Sequence, residues 1–217
     1  MVSEAKEHDS CISEIDSIRR IGKMAVDLGL VVGSGGNISI LLPEEQAFVI
    51  TGTGTQLDNL DQDSFAKVAL DGEILTNGVK PSSEFRVHLA AYQSRPDISV
   101  CIHLHPQKSV LLAALGLEVK FLTIDHVYYL RKVSSIPWIQ SGTKEIADAV
   151  FRELKSSNVI ILENHGCVVV GSGPEIAFSR ALNLEEAADL TLQSRLVGIE
   201  PNPVPPAYWA YLEEKGL

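Results

Sequence analysis

The chain has 217 residues, 45% of them apolar and 21% charged, the ordinary mix of one globular domain with a sizeable core. Its formal net charge of −10 and the lack of a basic stripe argue against nucleic acid as a partner, and leave any anionic substrate to be held by local donors against a repulsive overall field. The longest apolar runs, such as Val110–Leu115, are far too short to span a bilayer, so no membrane partner is expected.

The first ten residues are polar and acidic, with no apolar signal core, and read as a loose arm. Cys11, Cys101 and Cys167 form an odd set without a CxxC pair, which favours a reducing, cytoplasmic location over a disulfide framework. Ile12, Ile15, Ile18, Ala25 and Leu28 recur at helical spacing over Cys11–Leu30, and Gly29 with Gly33–Gly36 ends that helix. Asn37–Leu42 and Gln46–Thr51 read as two strands joined at Pro43-Glu44-Glu45, followed by the small-residue loop Thr51–Thr55. Asp58–Asp61 reads as a turn or short helix, and Asp71-Gly72 as the turn of a hairpin between Val68–Leu70 and Glu73–Leu75. Ser82–Gln93 is helical in pattern, with Ser82 or Ser83 as cap.

Val100–Leu104 reads as a strand and Ser109–Leu115 as a helix. Phe121–Ile124 and Ser135–Ile139 are candidate strands, with Asp125–Lys132 left open between them. Thr143–Leu154 is a helix, Val159–Leu162 and Val168–Val170 are apolar strands, and Pro174–Val197 is a long helix. Residues from about 201 to 217 form a proline-rich tail in which a helix resumes at Tyr208–Lys215. With no internal repeat, the interleaving gives a single α/β domain over 1–217 with a mixed or largely antiparallel sheet.

Five segments can carry chemistry. His103 and His105 stand at i and i+2, so on a strand both imidazoles face one side and can converge on one zinc-like ion. His165 lies in the turn between two apolar strands, and a third inward histidine would leave the open coordination position that catalysis requires. Cys101 and Cys167 lie close enough to be soft ligands, although a buried cysteine more often packs. Pro81-Ser82-Ser83-Glu84 opens a helix, where free N–H groups and two hydroxyls form a cup for an anion, or simply an N-cap with an acidic first turn. The loops at Gly35–Ser39 and Thr51–Thr55 can offer backbone N–H groups to a phosphate, or can be turns and no more. Neither matches the dinucleotide or Walker patterns.

Taken in order, Gly36-Asn37-Ile38-Ser39, Thr51-Gly52-Thr53-Gly54, Pro81-Ser82-Ser83-Glu84, His88–Asp97, His103-Leu104-His105 and Asn164-His165-Gly166 resemble the class II aldolase/adducin family, most closely its L-fuculose-1-phosphate aldolase type. The resemblance spans about Ile18–Leu196. It implies a three-layer α/β/α fold with a central, mostly antiparallel mixed sheet, and a homotetramer with active sites at subunit interfaces. It implies that His103, His105 and His165 bind zinc (manganese or cobalt being alternatives), with Glu84 as fourth ligand and acid/base. It also implies that Asn37, Thr53, Gly54, Ser82 and Ser83 bind a phosphate. The reaction implied is cleavage of a ketose 1-phosphate to dihydroxyacetone phosphate and an aldehyde through an enediolate. In the fuculose enzymes a tyrosine donates a proton on the aldehyde side. Here His126 occupies that place, with Tyr128, Tyr129, Tyr208 and Tyr211 as other candidates. The same scaffold serves decarboxylases or dehydratases of phosphorylated keto compounds, sugar-phosphate 4-epimerases, and non-catalytic adducin-like interaction domains.

Overall fold

The computed structural model describes residues 11–216, so the N-terminal arm lies outside the described residues. Its centre is a seven-stranded sheet of β1 (Asn37–Leu42), β2 (Ala47–Thr51), β3 (Phe65–Ala69), β4 (Val100–Leu104), β5 (Val133–Ile136), β6 (Val159–Leu162) and β7 (Gly166–Gly171). The spatial order is β3-β2-β1-β4-β7-β6-β5, and every pairing is antiparallel except β5 with β6. The helices are α1 (Ile12–Asp27), α2 (Phe85–Ser94), α3 (Gln107–Ala114), α4 (Ile124–Leu130), α5 (Lys144–Leu154), α6 (Pro174–Val197) and α7 (Pro206–Glu214).

Strand alternation sorts the core into two halves. Ile38, Ile40, Ile102, Leu104, Ile161 and Val169 point to one face, under Ile18 and Ile21 of α1 and Phe178, Ala181 and Leu184 of α6. Phe48, Ile50, Cys101, Ile160, Val168 and Val170 point to the other, under Val87, Ala91 and Tyr92 of α2 and Ile146, Val150 and Leu154 of α5. The result is the α/β/α layering that the resemblance implies. The sheet is buried on both sides, which explains why its strands read as nearly continuous apolar runs.

Several boundaries differ from the sequence reading. α2 starts at Phe85 rather than Ser82, because the Ser82 N–H is committed to the Thr51 carbonyl (3.0 Å) and Pro81 bridges Gly52. Those bonds hold Pro81 and Ser82 beside the end of β2, and Ser83 and Glu84 turn into the helix. The Glu73–Leu75 strand is reduced to a single bridge between Ile74 and Val68, and β3 begins earlier, at Phe65. Phe121–Ile124 is not a strand. Thr123 caps α4 by accepting from the His126 N–H (3.2 Å), and the tail docks there instead through Val204 N–H to the Phe121 carbonyl (3.0 Å). The open stretch Asp125–Lys132 is thus largely helical. β5 runs Val133–Ile136, ahead of Pro137, which lacks a ladder donor.

Candidate metal centre and active site

β1 and β4 lie side by side with Asn37 directly opposite His103 and Ser39 opposite Cys101. By parity all four face the α2 layer. His105 follows β4 by one residue, and its N–H is held by the Leu30 carbonyl (3.2 Å). His165 ends the turn between β6 and β7. Its N–H closes on the Leu162 carbonyl (3.1 Å), and Asn164 sits at φ 57°. Asparagine tolerates that left-handed position better than most side chains. Gly166 is required by space: a Cβ there would lie 2.7 Å from the His105 ring and inside contact range of the Leu104 carbonyl.

These elements bring one nitrogen each from His103, His105 and His165 and one oxygen from Glu84 within 4.8 Å of one another, a group able to hold a metal ion. His103 Nε2 lies 2.9 Å from His105 Nε2 and 2.9 Å from Glu84 Oε2, and His165 Nε2 lies 3.4 Å from Glu84 Oε1. The tautomer of His103 is fixed by its Nδ1, 2.9 Å from the Cys167 carbonyl. A carbonyl only accepts, so Nδ1 carries the hydrogen and Nε2 of the neutral ring presents a lone pair. That lone pair faces a Glu84 oxygen that can only accept. The contact is repulsive unless positive charge lies between them, and an N–H···O=C contact behind a ligating imidazole is the usual support of a metal-bound histidine. Glu84 Oε1 is buried with no hydrogen-bond partner, an orphan acceptor aimed into the same space. The donor set therefore fits a divalent transition ion: imidazoles and one carboxylate.

The electrostatics agree. Burial alone would raise the Glu84 carboxyl. The neighbouring imidazoles, His103 before His165, and the Asn37 amide outweigh it and bring it down to about 2. Burial, then the proximity of His103 and His165, lowers His105 to about 4, and burial with His103 lowers His165. Neutral rings and an ionised carboxylate are the ligating forms. The two cysteines are not ligands. Burial pushes the Cys167 thiol up to about 12 and raises Cys101 further, and neither belongs to the cluster.

Three small-residue segments converge beside the cluster. The Ile38 N–H donates to Thr51 Oγ1 (3.2 Å), the Thr53 N–H to the Lys80 carbonyl (3.0 Å), and the Ser82 N–H to the Thr51 carbonyl (3.0 Å). Thr53, Gly54 and Ser83 are exposed, while Ser82 is buried and its Oγ accepts from the Glu84 N–H (3.3 Å). Gly142 packs against Ser83, since a Cβ there would lie 3.2 Å from its carbonyl. Asn37 is buried, its Nδ2 donating to Glu84 Oε2 (3.2 Å) and its Oδ1 facing His88 Nε2 (2.5 Å), so one amide hydrogen stays free.

His126 is not brought to this cluster. It is wholly buried between α4 and α6, its Nδ1 accepting from the Leu122 N–H (3.2 Å) and its Nε2 facing Glu186 Oε2 (3.1 Å), so no ring nitrogen is left over. Tyr128 and Tyr129 pack edge to face with each other, and Tyr208 stacks on Tyr211 in the tail. What the sequence reading missed is His88, Ser39 and Tyr92. The signal was present: Glu84, His88 and Tyr92 recur every four residues on α2, and Asn37 and Ser39 alternate on β1.

The description "Class II Aldolase and Adducin N-terminal domain" belongs to the family model that matches residues 16–192. The chain is 35% identical over 178 residues to the L-fuculose phosphate aldolase of Methanocaldococcus jannaschii, covering 82% of this chain and 95% of that one. It is 36% identical over 180 residues to the 3-oxo-tetronate 4-phosphate decarboxylase of Escherichia coli K12, covering 81% and 84%. A solved L-fuculose 1-phosphate aldolase superposes with a TM-score of 0.86 at 25% identity, covering 95% of this chain and 97% of that one. The chain belongs to the class II aldolase and adducin family, and within it is a lyase.

Proposed function

We propose that the protein is a metal-dependent aldolase that cleaves and forms the C–C bond of a ketose 1-phosphate, giving dihydroxyacetone phosphate and an aldehyde. The observation that carries this reading is the cluster itself: three imidazole nitrogens and the orphan oxygen of Glu84 within 4.8 Å, beside three converging donor loops. His103, His105 and His165 would hold the ion, zinc in the first instance. When bound, the ion supplies positive charge to the carbonyl and adjacent hydroxyl oxygens of the substrate while the C–C bond breaks. Thr53, Gly54, Ser82 and Ser83, with the free Asn37 amide hydrogen, hold the phosphate by neutral donors and so place the reacting carbons over the cluster. Glu84 is ionised at neutral pH and buried at the meeting point of the three histidines, so it carries the proton to and from the carbon released by cleavage. His126 we assign to packing between α4 and α6.

A second reading has an observation of its own. With His126 enclosed, this chain offers no aldehyde-side proton donor at that position, and the decarboxylase relative matches as well as the aldolase one. Loss of carbon dioxide from a phosphorylated 3-oxo acid needs the same charge and the same phosphate cup, but no aldehyde donor. In the cell we place the enzyme in the cytoplasm, where its three buried free thiols persist, and as a homotetramer. Exposed Leu196, Val197 and Ile199 beyond the end of the α6 core supply apolar surface for that assembly. A substrate panel on the metal-loaded protein tests the reading. Dihydroxyacetone phosphate with several aldehydes should give ketose phosphate and no carbon dioxide. Carbon dioxide released from phosphorylated 3-oxo acids, without aldol product, replaces the first reading by the second. No turnover of either class ends both.

A further inference from the structure

Beneath Glu84 a chain of buried polar groups runs along the stripe that α2 presents to β1. Asn37 Nδ2 lies 3.2 Å from Glu84 Oε2, and Asn37 Oδ1 lies 2.5 Å from His88 Nε2. His88 Nδ1 lies 2.6 Å from Ser39 Oγ, and Ser39 Oγ lies 2.6 Å from the Tyr92 hydroxyl. His88 and Ser39 are fully buried, Asn37 and Tyr92 nearly so.

Charge at one end fixes the polarity of every bond. The Glu84 carboxylate can only accept, so Asn37 must turn its Nδ2 toward it and its Oδ1 toward His88. His88 Nε2 is then the donor, and Nδ1 of the neutral ring accepts from the Ser39 hydroxyl. With its one hydrogen given to His88, Ser39 accepts from the Tyr92 hydroxyl. The direction runs Tyr92 to Ser39 to His88 to Asn37 to Glu84. Burial, then the nearby His103, keeps His88 neutral, its value lowered to about 3.

We infer that His88 is a positioning residue of the lyase site: by donating from Nε2 it locks the Asn37 amide, which in turn aims the Glu84 carboxylate and turns one amide hydrogen toward the substrate. Without that donor Asn37 is free to flip, and its Oδ1 would then oppose the Glu84 carboxylate. Ser39 and Tyr92 act one step further back, by fixing the His88 tautomer. Of these five linked residues only Asn37 and Glu84 border the substrate site. The inference rests on the lyase reading for its catalytic consequence, but the locked amide does not.

The test uses the full-length, metal-loaded protein as wild type, His88→Phe, His88→Gln and Tyr92→Phe. Glutamine keeps an N–H donor where His88 Nε2 stands; phenylalanine keeps bulk without one. Two readouts are taken: kcat and KM with metal content, and the side-chain amide NMR pair of Asn37, assigned by its disappearance in Asn37→Asp. In His88→Phe kcat should fall about 30- to 100-fold, KM and metal content should stay within about threefold, and His88→Gln should recover most of the loss. The Asn37 amide pair should be single and dispersed in wild type, averaged or doubled in His88→Phe, and restored in His88→Gln. Tyr92→Phe should move both readouts in the same direction by less, and it carries the test if His88→Phe does not fold. An unaltered Asn37 amide pair in the variants overturns the lock. An altered pair with unchanged kcat overturns its catalytic consequence. If wild type turns over no substrate in the panel, the lyase reading fails while the amide pair still decides the lock.

Discussion

Two buried histidine–carboxylate pairs stand in this fold, and they are nearly indistinguishable as pairs. His103 lies 2.9 Å from Glu84 and His126 lies 3.1 Å from Glu186; the rings are 1% and 0% exposed. They differ in what remains after the hydrogen bonds are counted. His126 spends Nδ1 on the Leu122 N–H and Nε2 on a carboxylate that is itself 60% exposed, so every polar atom is answered by protein or water. His103 spends Nδ1 on a carbonyl and is left with a lone pair facing the Glu84 carboxylate, while Glu84 Oε1 has no hydrogen-bond partner. A buried histidine beside a glutamate is therefore no evidence of a site. A surplus of lone pairs pointing into one space is.

Removing a member of the surplus should cost most. His103→Ala should lose the bound metal and lower kcat/KM by about 10³ or more, measured by elemental analysis and turnover together. Gly166→Ala comes next, because its Cβ would displace the His105 ring and the Leu104 carbonyl. Metal affinity should fall about 10- to 100-fold, as for other changes that misorient a ligand, read by competition with a chelator. The Glu186→Gln change, on the other pair, should be smallest. Its hydrogen bond is solvent-screened on the glutamate side, so unfolding stability should shift by less than about 1 kcal/mol, and kcat/KM by less than about twofold. A large loss of activity there would erase the distinction between the two pairs.

Acid should separate the regions as well. His88 is depressed to about 3 in the fold, against about 6.5 when unfolded. Below pH 6.5 the unfolded chain binds this proton and the native one does not, so stability present above pH 6.5 drains away as pH falls toward 3. Over pH 6 to 4, wild type should lose about 1 kcal/mol per pH unit more than His88→Gln in denaturant titrations. Parallel curves for the two proteins would contradict a neutral, buried His88.

Much of this was legible in the chain. The alternation that puts His103 and His105 on one side is local, and so are the apolar runs of β6 and β7 and the long periodicity of α6. The ordered motifs joined residues that no local pattern could. What escaped depends on packing between distant segments. Residues 82–84 carry a helix-start signal, but the Ser82 N–H is taken by the carbonyl of Thr51, at the end of a distant strand. Phe121–Ile124 has strand-like composition, yet the Thr123 cap and the docking tail decide otherwise. His126 matched an aldehyde-side donor by position, and only the packing of α4 on α6 encloses it. His88 was hidden among apolar neighbours on α2. Its partner Asn37 is 51 positions away, on a strand whose register places it opposite His103.

The most direct measurement is the metal content and turnover of Glu84→Gln, made side by side with wild type. On the proposed roles, histidines for the ion and Glu84 for the proton, the variant should keep close to the wild-type metal content while turnover falls about 10²- to 10⁴-fold. Turnover at the wild-type rate with the metal in place would contradict the role of Glu84, and a wild-type protein that binds no divalent ion would contradict the centre itself.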